Sequence, residues 1–387
     1  MTVLWLASWY PSRVLPTSGD FVARMAAATA ARTRIVVLHA VADGGVVDRE
    51  LAYTAGPFPV LRVYYPPASN RVAQVLALFA AYTAGLRHLR QLGHRFDLLH
   101  LHCLRPAAPV ARWWAFRHGW PLLITEHWTG WRRNTTRPAS WAERQMFFPA
   151  LRYARRFLPV NAVQAEELRT RGIRTPSTVV PNVVDTALFS LRFTPPEKSF
   201  RFVHISSLNE AAKRVRPLLR AFAEVRRERP GVELLIVGDG ADGPALRAYA
   251  DRADLTDGVT FCGEVEHDRV PAVLHRSHAL VLSSRIENLP CVLLEALATG
   301  TPVLTTETGG LHRWVGEAQG LVVPVADPTA LVRGMHHLID HYAVYTPEGI
   351  ADRVREQCSY PAVGHRLRAL YEQTLGEAGK ARRRAGN

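Results

Sequence analysis

The sequence predicts an α/β protein of two doubly wound, Rossmann-like domains facing each other across a cleft. Three observations carry this. At 387 residues the chain exceeds the size at which a single core keeps growing. Short apolar runs that do not alternate with polar residues, as parallel strands buried on both faces require, are separated by helical segments. The same alternation then restarts near residue 200, after a polar, proline-containing interruption at "DTALFSLRFTPPEKS".

Taken in order, "TVLWLA" reads as a strand, "DFVARMAAATAART" as a helix and "RIVVLHA" as the next strand. "NRVAQVLALFAAYTAGLRHLRQL" is a longer helical run. "FDLLHLH", "PAAPVARWWAFRHG" and "PLLITEH" continue the alternation, and "RYARRFLPVN" leads toward "AVQAEELRTRG" and "STVVPN". In the second half "RFVHIS", "VELLIVG", "GVTFCG", "ALVLSS", "PVLTTE" and "GLVVP" are strands, with helices such as "KRVRPLLRAFAEVRRERP" and "GPALRAYADRA" between most of them. The expected division is a first domain over 1–190 and a second over 191–360. A helix over 361–375 is expected to pack back toward the first domain, followed by a flexible basic tail over 376–387. Ligands of such sheets bind beyond the carboxyl ends of the strands, here in the cleft.

Composition narrows the classes. Hydrophobic residues make up 48% and charged residues 21%, an ordinary globular balance. No apolar run reads as a membrane span, and "MTVLWLASWY" lacks the basic start and small-residue cleavage site of a signal peptide. The expected location is the cytoplasm. Cys103, Cys262, Cys291 and Cys358 lie far apart, fit neither a disulfide framework nor a zinc ribbon, and are expected mostly as buried apolar residues. The formal charge of +14 is one-sided. Residues 1–190 hold 23 arginines and no lysine against 10 acidic residues, a net of +13, so the remaining residues carry +1. Such a field suits an anionic partner of the first domain, a membrane surface or lipid phosphate. The arginine excess is equally compatible with coding bias. Nucleic acid is disfavoured, since no recognition helix, zinc finger or RNA-binding aromatic motif occurs.

Several turns after predicted strands carry candidate chemistry. Gly19, in "WYPSRVLPTSGD", can bring a backbone N–H close to a phosphate at a helix start, or simply make a turn. That loop carries no triple-glycine nucleotide fingerprint and no P-loop pattern occurs in the sequence, which disfavours a dehydrogenase or an ATPase. Lys213 opens the helix after the second domain's first strand, where an ammonium gains most from a neighbouring anion; a solvated lysine is the plain alternative. His127 ends the strand "PLLITEH" and can meet a sugar hydroxyl or acceptor, or pack as a loop residue beside its tryptophans, with Glu126 pointing the other way. Glu287 follows "ALVLSS", and "NLP" turns the chain into a helix whose first N–H groups, around Asn288 and Leu289, can meet a diphosphate. Glu295, two turns on, reaches a different part of an extended ligand or faces solvent. The stretches "RWWAFRHGWPLLITEHWTGWRRNTTR" and "WAERQMFFPALRYARRF" pair aromatic rings with arginines, as a surface for acyl chains and phosphate would, or as an ordinary core with exposed arginines would.

The sequence resembles the retaining glycosyltransferases of family 4, with the two-domain GT-B architecture. "RIENLPCVLLEALATGTPVLTTETGG" looks like that family's donor-site segment, with its glutamate, seven residues, glutamate spacing at Glu287 and Glu295. "SSLNEAAKRVRPLLRAF", "LLIVGDG", "VTFCGEV", "VVPNVVDTALF" and "GLVVPVADPTAL" occur in the expected order, and the resemblance covers about residues 2–375. It implies that Glu287 binds the transferred sugar, Glu295 the ribose, Lys213 the diphosphate with Gly19 opposite, His127 the sugar and acceptor side, and Val265 the nucleobase through its backbone. Ser207 stands where the family commonly has arginine, Arg313 where it often has glutamate, and Asn288 where it often has glycine. The reaction implied is transfer of a hexosyl group from a UDP- or GDP-linked sugar to a hydroxyl with retained configuration, on an acceptor such as a lipid-linked saccharide of a cell-envelope glycan. The nucleotide sugar is substrate rather than cofactor. No D-x-D motif occurs, so no metal is expected. Peripheral contact with the inner face of the plasma membrane fits the charge. Alternatives are another GT-B sugar-processing enzyme, an epimerase or phosphorylase, or a non-catalytic carbohydrate-binding relative.

Overall fold

The computed structural model describes residues 1–131, 135, 138–192, 199–253 and 255–385, with side chains through residue 380. They form two compact units, one of residues 1–131, Pro138–Val183 and the helix beginning at Tyr360, the other of Val184–Ser359. Residues 193–198 of the expected linker, and part of "RRNTTR", lie outside the described residues. The first unit runs β1 (Thr2–Ala7), α1 (Asp20–Ala30), β2 (Arg34–Ala42), β3 (Glu50–Thr54), β4 (Val60–Tyr65), α2 (Arg71–Gln91), β5 (Leu98–His102), α3 (Ala108–His118), β6 (Leu122–Glu126), α4 (Trp141–Tyr153), β7 (Arg156–Pro159) and α5 (Ala162–Arg169). The second runs β8 (Arg201–Ile205), α6 (Glu210–Lys213), α7 (Val215–Glu228), β9 (Glu233–Val237), α8 (Gly243–Arg252), β10 (Val259–Gly263), α9 (Val270–His275), β11 (Ala279–Leu282), α10 (Cys291–Ala298), β12 (Val303–Thr306), β13 (Gly320–Val323), α11 (Pro328–Asp340) and α12 (Pro347–Cys358). Helix α13 (Tyr360–Ala385) returns to the first unit.

The first sheet has the order β3-β4-β2-β1-β5-β6-β7, parallel throughout except where the edge strand β3 pairs with β4. Strand alternation sends Leu4 and Leu6 to one face and Val3, Trp5 and Ala7 to the other, and both faces are covered. Helices α2, α3 and α4 bury Tyr82, Trp114 and Phe147 on the first face, while α1 and α13 bury Met25, Leu367 and Tyr371 on the second. A Cβ on Gly364 would stand 2.4 Å from the Ala28 carbonyl oxygen, so only glycine lets α13 cross α1 this closely.

The second sheet is wholly parallel, in the order β10-β9-β8-β11-β12-β13. Helix α7 shows why its sequence lies on a sheet: Val215, Leu218, Leu219, Phe222 and Val225 fall on one stripe and are all buried. Each large apolar side chain so covered contributes about 1.5–3 kcal/mol.

Three expectations differ from the fold. Strands β3 and β4 escape the apolar-run pattern because β3 is an exposed edge and β4 lies between proline pairs. Helix α13 continues through Ala385 into the tail expected to be flexible, where alanine, lysine and arginine favour helix despite two glycines. Helix α2 is long and apolar enough by composition to cross a membrane, contrary to the reading of the sequence. Its later turns bury Leu78, Tyr82, Leu86 and Leu89 in the core, while Val72 and Leu76 in its first turns are exposed. Of the cysteines, Cys103 and Cys358 are buried, Cys291 is half-buried and Cys262 is exposed.

Candidate active site

Each parallel sheet has one point where successive strands depart in opposite directions, between β1 and β5 in the first unit and between β8 and β11 in the second. The loops leaving such neighbouring strands diverge to opposite faces and open a crevice. In the second unit these are the loops after β8 and after β11, which carry Lys213 and Glu287.

The two side chains meet. Lys213 Nζ donates to Glu287 Oε1 at 2.5 Å, and Ser284 Oγ donates to the same oxygen at 2.8 Å. Backbone contacts fix both loops around the pair. Asn209 caps α6 by accepting from Ala212 N, and Arg214 then takes a left-handed conformation at φ 53° that ends the helix at Lys213. Ser283 Oγ lies 2.9 Å from both the Lys213 and Arg214 carbonyl oxygens, and Arg285 N donates to Ala212 O at 2.8 Å. Behind Glu287, its amide donates to Thr308 Oγ1 at 3.0 Å. Gly309, at φ 68°, leaves no room for a Cβ, which would stand 2.5 Å from the Glu287 carbonyl oxygen.

Glu295 is buried on α10 and does not face solvent. Its Oε1 lies 3.0 Å from His267 Nε2, and the His267 ring packs on Phe189. Val265 is half-buried in the loop after β10, two residues before that histidine. Asn288 and Leu289 are buried in the turn before α10. Ser207 is exposed in the turn after β8, where its carbonyl accepts from Asn209 N. Arg313 is exposed and its carbonyl accepts from the Arg353 guanidinium.

Sequence reasoning missed His267 and also His204, which lies on β8 beneath the Lys213–Glu287 pair. His204 Nδ1 is 2.8 Å from the Val281 carbonyl oxygen and Nε2 is 2.8 Å from Ser206 Oγ. Burial pushes its pKa down to about 4, so the ring is neutral near pH 7. The histidine in "RFVHIS", the one polar residue inside an apolar strand, was the available signal.

In the first unit, Gly19 sits at φ 72° before α1, and a Cβ there would stand 2.4 Å from the Trp9 carbonyl carbon. The close approach is made by the chain's own loop after β1. Two residues on, the Phe21 ring lies 4.4 Å from the His127 ring. His127 Nδ1 and Asn182 Oδ1 are 3.0 Å apart, and burial pushes the imidazole down to about 3, leaving a neutral hydrogen-bonding group. Glu126 is fully buried. Its Oε1 accepts from the amides of His127 and Trp128, both at 2.8 Å, and its Oε2 from Leu104 N at 2.9 Å and Trp131 Nε1 at 2.8 Å. It thereby sets the loop that presents His127. Burial pushes its carboxyl up, against those four donors.

On the helical surface of the same unit, Pro109, Arg112, Trp113, Phe116, Met146 and Tyr153 line a groove of about 230 Å³. Trp113 and Phe116 are 46% and 75% exposed, values that set this face apart from an ordinary core. Among the described residues, no group of three or more His, Cys, Asp or Glu side chains is arranged to hold a metal ion.

Two doubly wound units, each with its loops diverging at one switch point, define the GT-B class of architecture. Two family models match the chain: "Glycosyltransferase Family 4" over residues 19–188 and "Glycosyl transferases group 1" over residues 199–341. The chain has the GT-B fold and is related, half by half, to the families of both models. It is 28% identical over 218 residues to a phosphatidylinositol N-acetylglucosaminyltransferase subunit of Arabidopsis thaliana, covering 56% of this chain and 48% of that one. It is also 28% identical over 369 residues to D-inositol 3-phosphate glycosyltransferase of Segniliparus rotundus, covering 84% and 70%. The chain spans about half the length of the first curated relatives it matches. Among solved structures, sucrose-phosphate synthase from Thermosynechococcus elongatus superposes with a TM-score of 0.77 at 20% identity, over 97% of this chain and 100% of that one. Anabaena HepE in complex with UDP gives 0.75 at 18%, over 96% and 100%. At these identities the structural likeness speaks for the fold.

Proposed function

We propose that the chain transfers a hexosyl group from a nucleotide diphosphate sugar to a hydroxyl acceptor with retained anomeric configuration. The observation that carries this reading is the Lys213–Glu287 contact across the second unit's switch point. A cation and a carboxylate held together there suit a ligand with phosphate at one end and hydroxyls at the other. In this reading Lys213 stabilises the charge that grows on the departing diphosphate, aided by amides at Asn288 and Leu289. Glu287 accepts from the sugar hydroxyls, and Glu295, set by His267, accepts from the ribose. Val265 offers its backbone to the base and Ser207 adds a hydroxyl beside the diphosphate; in the first unit, Gly19 is the phosphate-facing turn and His127 the acceptor-side group. The bond from the anomeric carbon to the diphosphate oxygen breaks as the acceptor oxygen attaches on the same face. The acceptor's proton passes to the diphosphate. Fixed positive charge takes the place of a divalent ion.

The acceptor in this reading is a lipid-linked saccharide at an anionic cytoplasmic membrane face. Support comes from the +13 balance of residues 1–190 and from the exposed Trp113–Phe116 groove with its arginine. The Arabidopsis relative, a phosphatidylinositol N-acetylglucosaminyltransferase subunit by name, points the same way.

Calorimetry with UDP and GDP in EDTA tests the donor assignment. One of them should bind, and Lys213→Ala should weaken it by about 10- to 100-fold, as loss of a charge-assisted contact does. Glu287→Gln should weaken the sugar-bearing donor more than the bare diphosphate, and Glu295→Gln both alike. Binding of neither nucleotide would refute the donor reading. An inverted product anomer in an acceptor-library assay would refute retention.

A further inference from the structure

On the second unit, Glu210, Ala211, Arg214, Arg216, Pro217, Arg220 and Arg285 line a pocket of about 300 Å³. Lys213, Glu287 and Glu295 are not among its lining residues. Four guanidiniums thus share one pocket with a single carboxylate. Among the described residues none of the four is in an ion pair, whereas Arg13, Arg105, Arg156, Arg201 and Arg229 each pair with an acid. Arg216 and Arg220 stand one turn apart on α7, a spacing at which like charges destabilise a helix. Both are nonetheless held in place. Each lies over the Tyr249 ring, at 5.4 and 5.9 Å, and Arg220 Nε donates to Tyr249 Oη at 3.2 Å. Arg216 Nε is buried with no hydrogen-bond acceptor, and Glu210 Oε2 is occupied by the Arg216 amide at 3.0 Å. Arg214 and Arg285 project from the two turns that Ser283 Oγ and the Ala212 carbonyl lock together. The pocket is therefore a cluster of donors with a net positive charge.

We propose that this pocket is a second anion site, taking the phosphate of a small phosphomonoester and distinct from the donor site at Lys213–Glu287. Guanidinium forks match the oxygens of a tetrahedral phosphate and bind them in pairs. A volume of about 300 Å³ has room for a sugar-sized body beyond the phosphate, the low end of the range for small-molecule pockets. Glu210 at the rim accepts from a hydroxyl of that body and disfavours a ligand that carries charge at both ends. The proposal stands apart from the donor reading, because none of its residues is assigned to the donor.

Calorimetry at fixed ionic strength, with inorganic phosphate, glucose 6-phosphate, glucose and chloride as probes, tests it. Glucose 6-phosphate should bind more tightly than free phosphate, and glucose and chloride should give no saturable heat. Arg216→Gln with Arg220→Gln, and separately Arg285→Gln, should each weaken binding by about tenfold or more, the effect of losing one charge-assisted contact. Arg285→Gln keeps the test informative if the double variant loses its Tyr249 contacts and unfolds. Lys213→Ala and saturating UDP or GDP should leave the binding unchanged. Loss of phosphate binding in Lys213→Ala, or competition by the nucleotide, would assign the anion to the donor pair and overturn the proposal. So would binding indifferent to all three arginines. Phosphate bound as tightly as glucose 6-phosphate would overturn the monoester and leave a site for free phosphate.

Discussion

Replacing Glu126 by glutamine removes one oxygen from a group whose two oxygens accept four hydrogen bonds. Oε1 serves the amides of His127 and Trp128, and Oε2 serves Leu104 N and Trp131 Nε1. The glutamine carbonyl can keep one of these pairs. Its NH₂ group then faces the other pair, donor against donor, in a fully buried site. Each orphaned buried donor costs about 1–3 kcal/mol, so two cost roughly 2–6 kcal/mol. Against a total stability of about 5–15 kcal/mol that is a large share. Urea unfolding followed by tryptophan fluorescence is the assay, because Trp128 and Trp131 sit on the loop that Glu126 holds. The midpoint should fall and the native emission should change as the loop loosens. Nucleotide binding, assigned to the second unit, should stay within about twofold, while acceptor use should fall with the displacement of His127. A loss below about 1 kcal/mol with unchanged native emission would refute the reasoning, since it would mean that the four contacts do not fix the loop.

Acid should unfold the protein before its carboxylates are titrated. Burial depresses His39 to about 4, His100 to about 3 and His204 to about 4, against 6.5 when exposed. The unfolded chain therefore binds more protons below pH 6.5, and stability that is complete above that value falls as pH drops toward the folded values. By pH 4.5 the loss is about 2–3 kcal/mol per histidine. Urea midpoints at pH 7.5, 6 and 5 should trace this decline, and His204→Gln should flatten it; a pH-independent midpoint would contradict neutral burial. Trp113→Ser with Phe116→Ser should cut sedimentation with anionic vesicles while leaving calorimetric nucleotide binding intact. Equal sedimentation of the double variant would show that the aromatic groove is not the membrane-facing surface.

The doubly wound plan was legible because buried parallel strands leave near-continuous apolar runs, and ten of the thirteen strands among the described residues announce themselves that way or nearly so, from "TVLWLA" to "GLVVP". The exposed edge strand β3 could not, since its burial is too slight to shape its sequence. Glu287 and Lys213 were legible as acid and base after strands of one sheet. Their direct contact was not, because it depends on β8 and β11 being neighbours, a fact of strand order rather than of spacing. Glu295 left open a solvent-facing reading that only its burial against His267 closes. Glu126 was read only as pointing opposite to His127; that its carboxylate would gather four donors from residues 104 to 131 depends on the meeting of separate loops.

The strand histidines explain how both sets of loops are held without competing charge. His100 on β5 joins Tyr371 of α13, at 2.7 Å, to Thr125 of β6, at 2.8 Å. His204 on β8 joins the Val281 carbonyl of β11 to Ser206 at the head of the next loop. Each uses both ring nitrogens and each is held neutral by burial, so each satisfies two polar groups beside a switch point without adding a cation there. A leucine in either place would bury as much apolar surface and would leave two polar partners unmatched, at about 1–3 kcal/mol apiece. In place of His204 it would also release Ser206 at the head of the loop after β8. A protonated histidine at position 204 would stand near Lys213 and compete with it for Glu287, since the two charges already act on this ring. Neutrality there leaves the Lys213–Glu287 contact without a competing cation on β8.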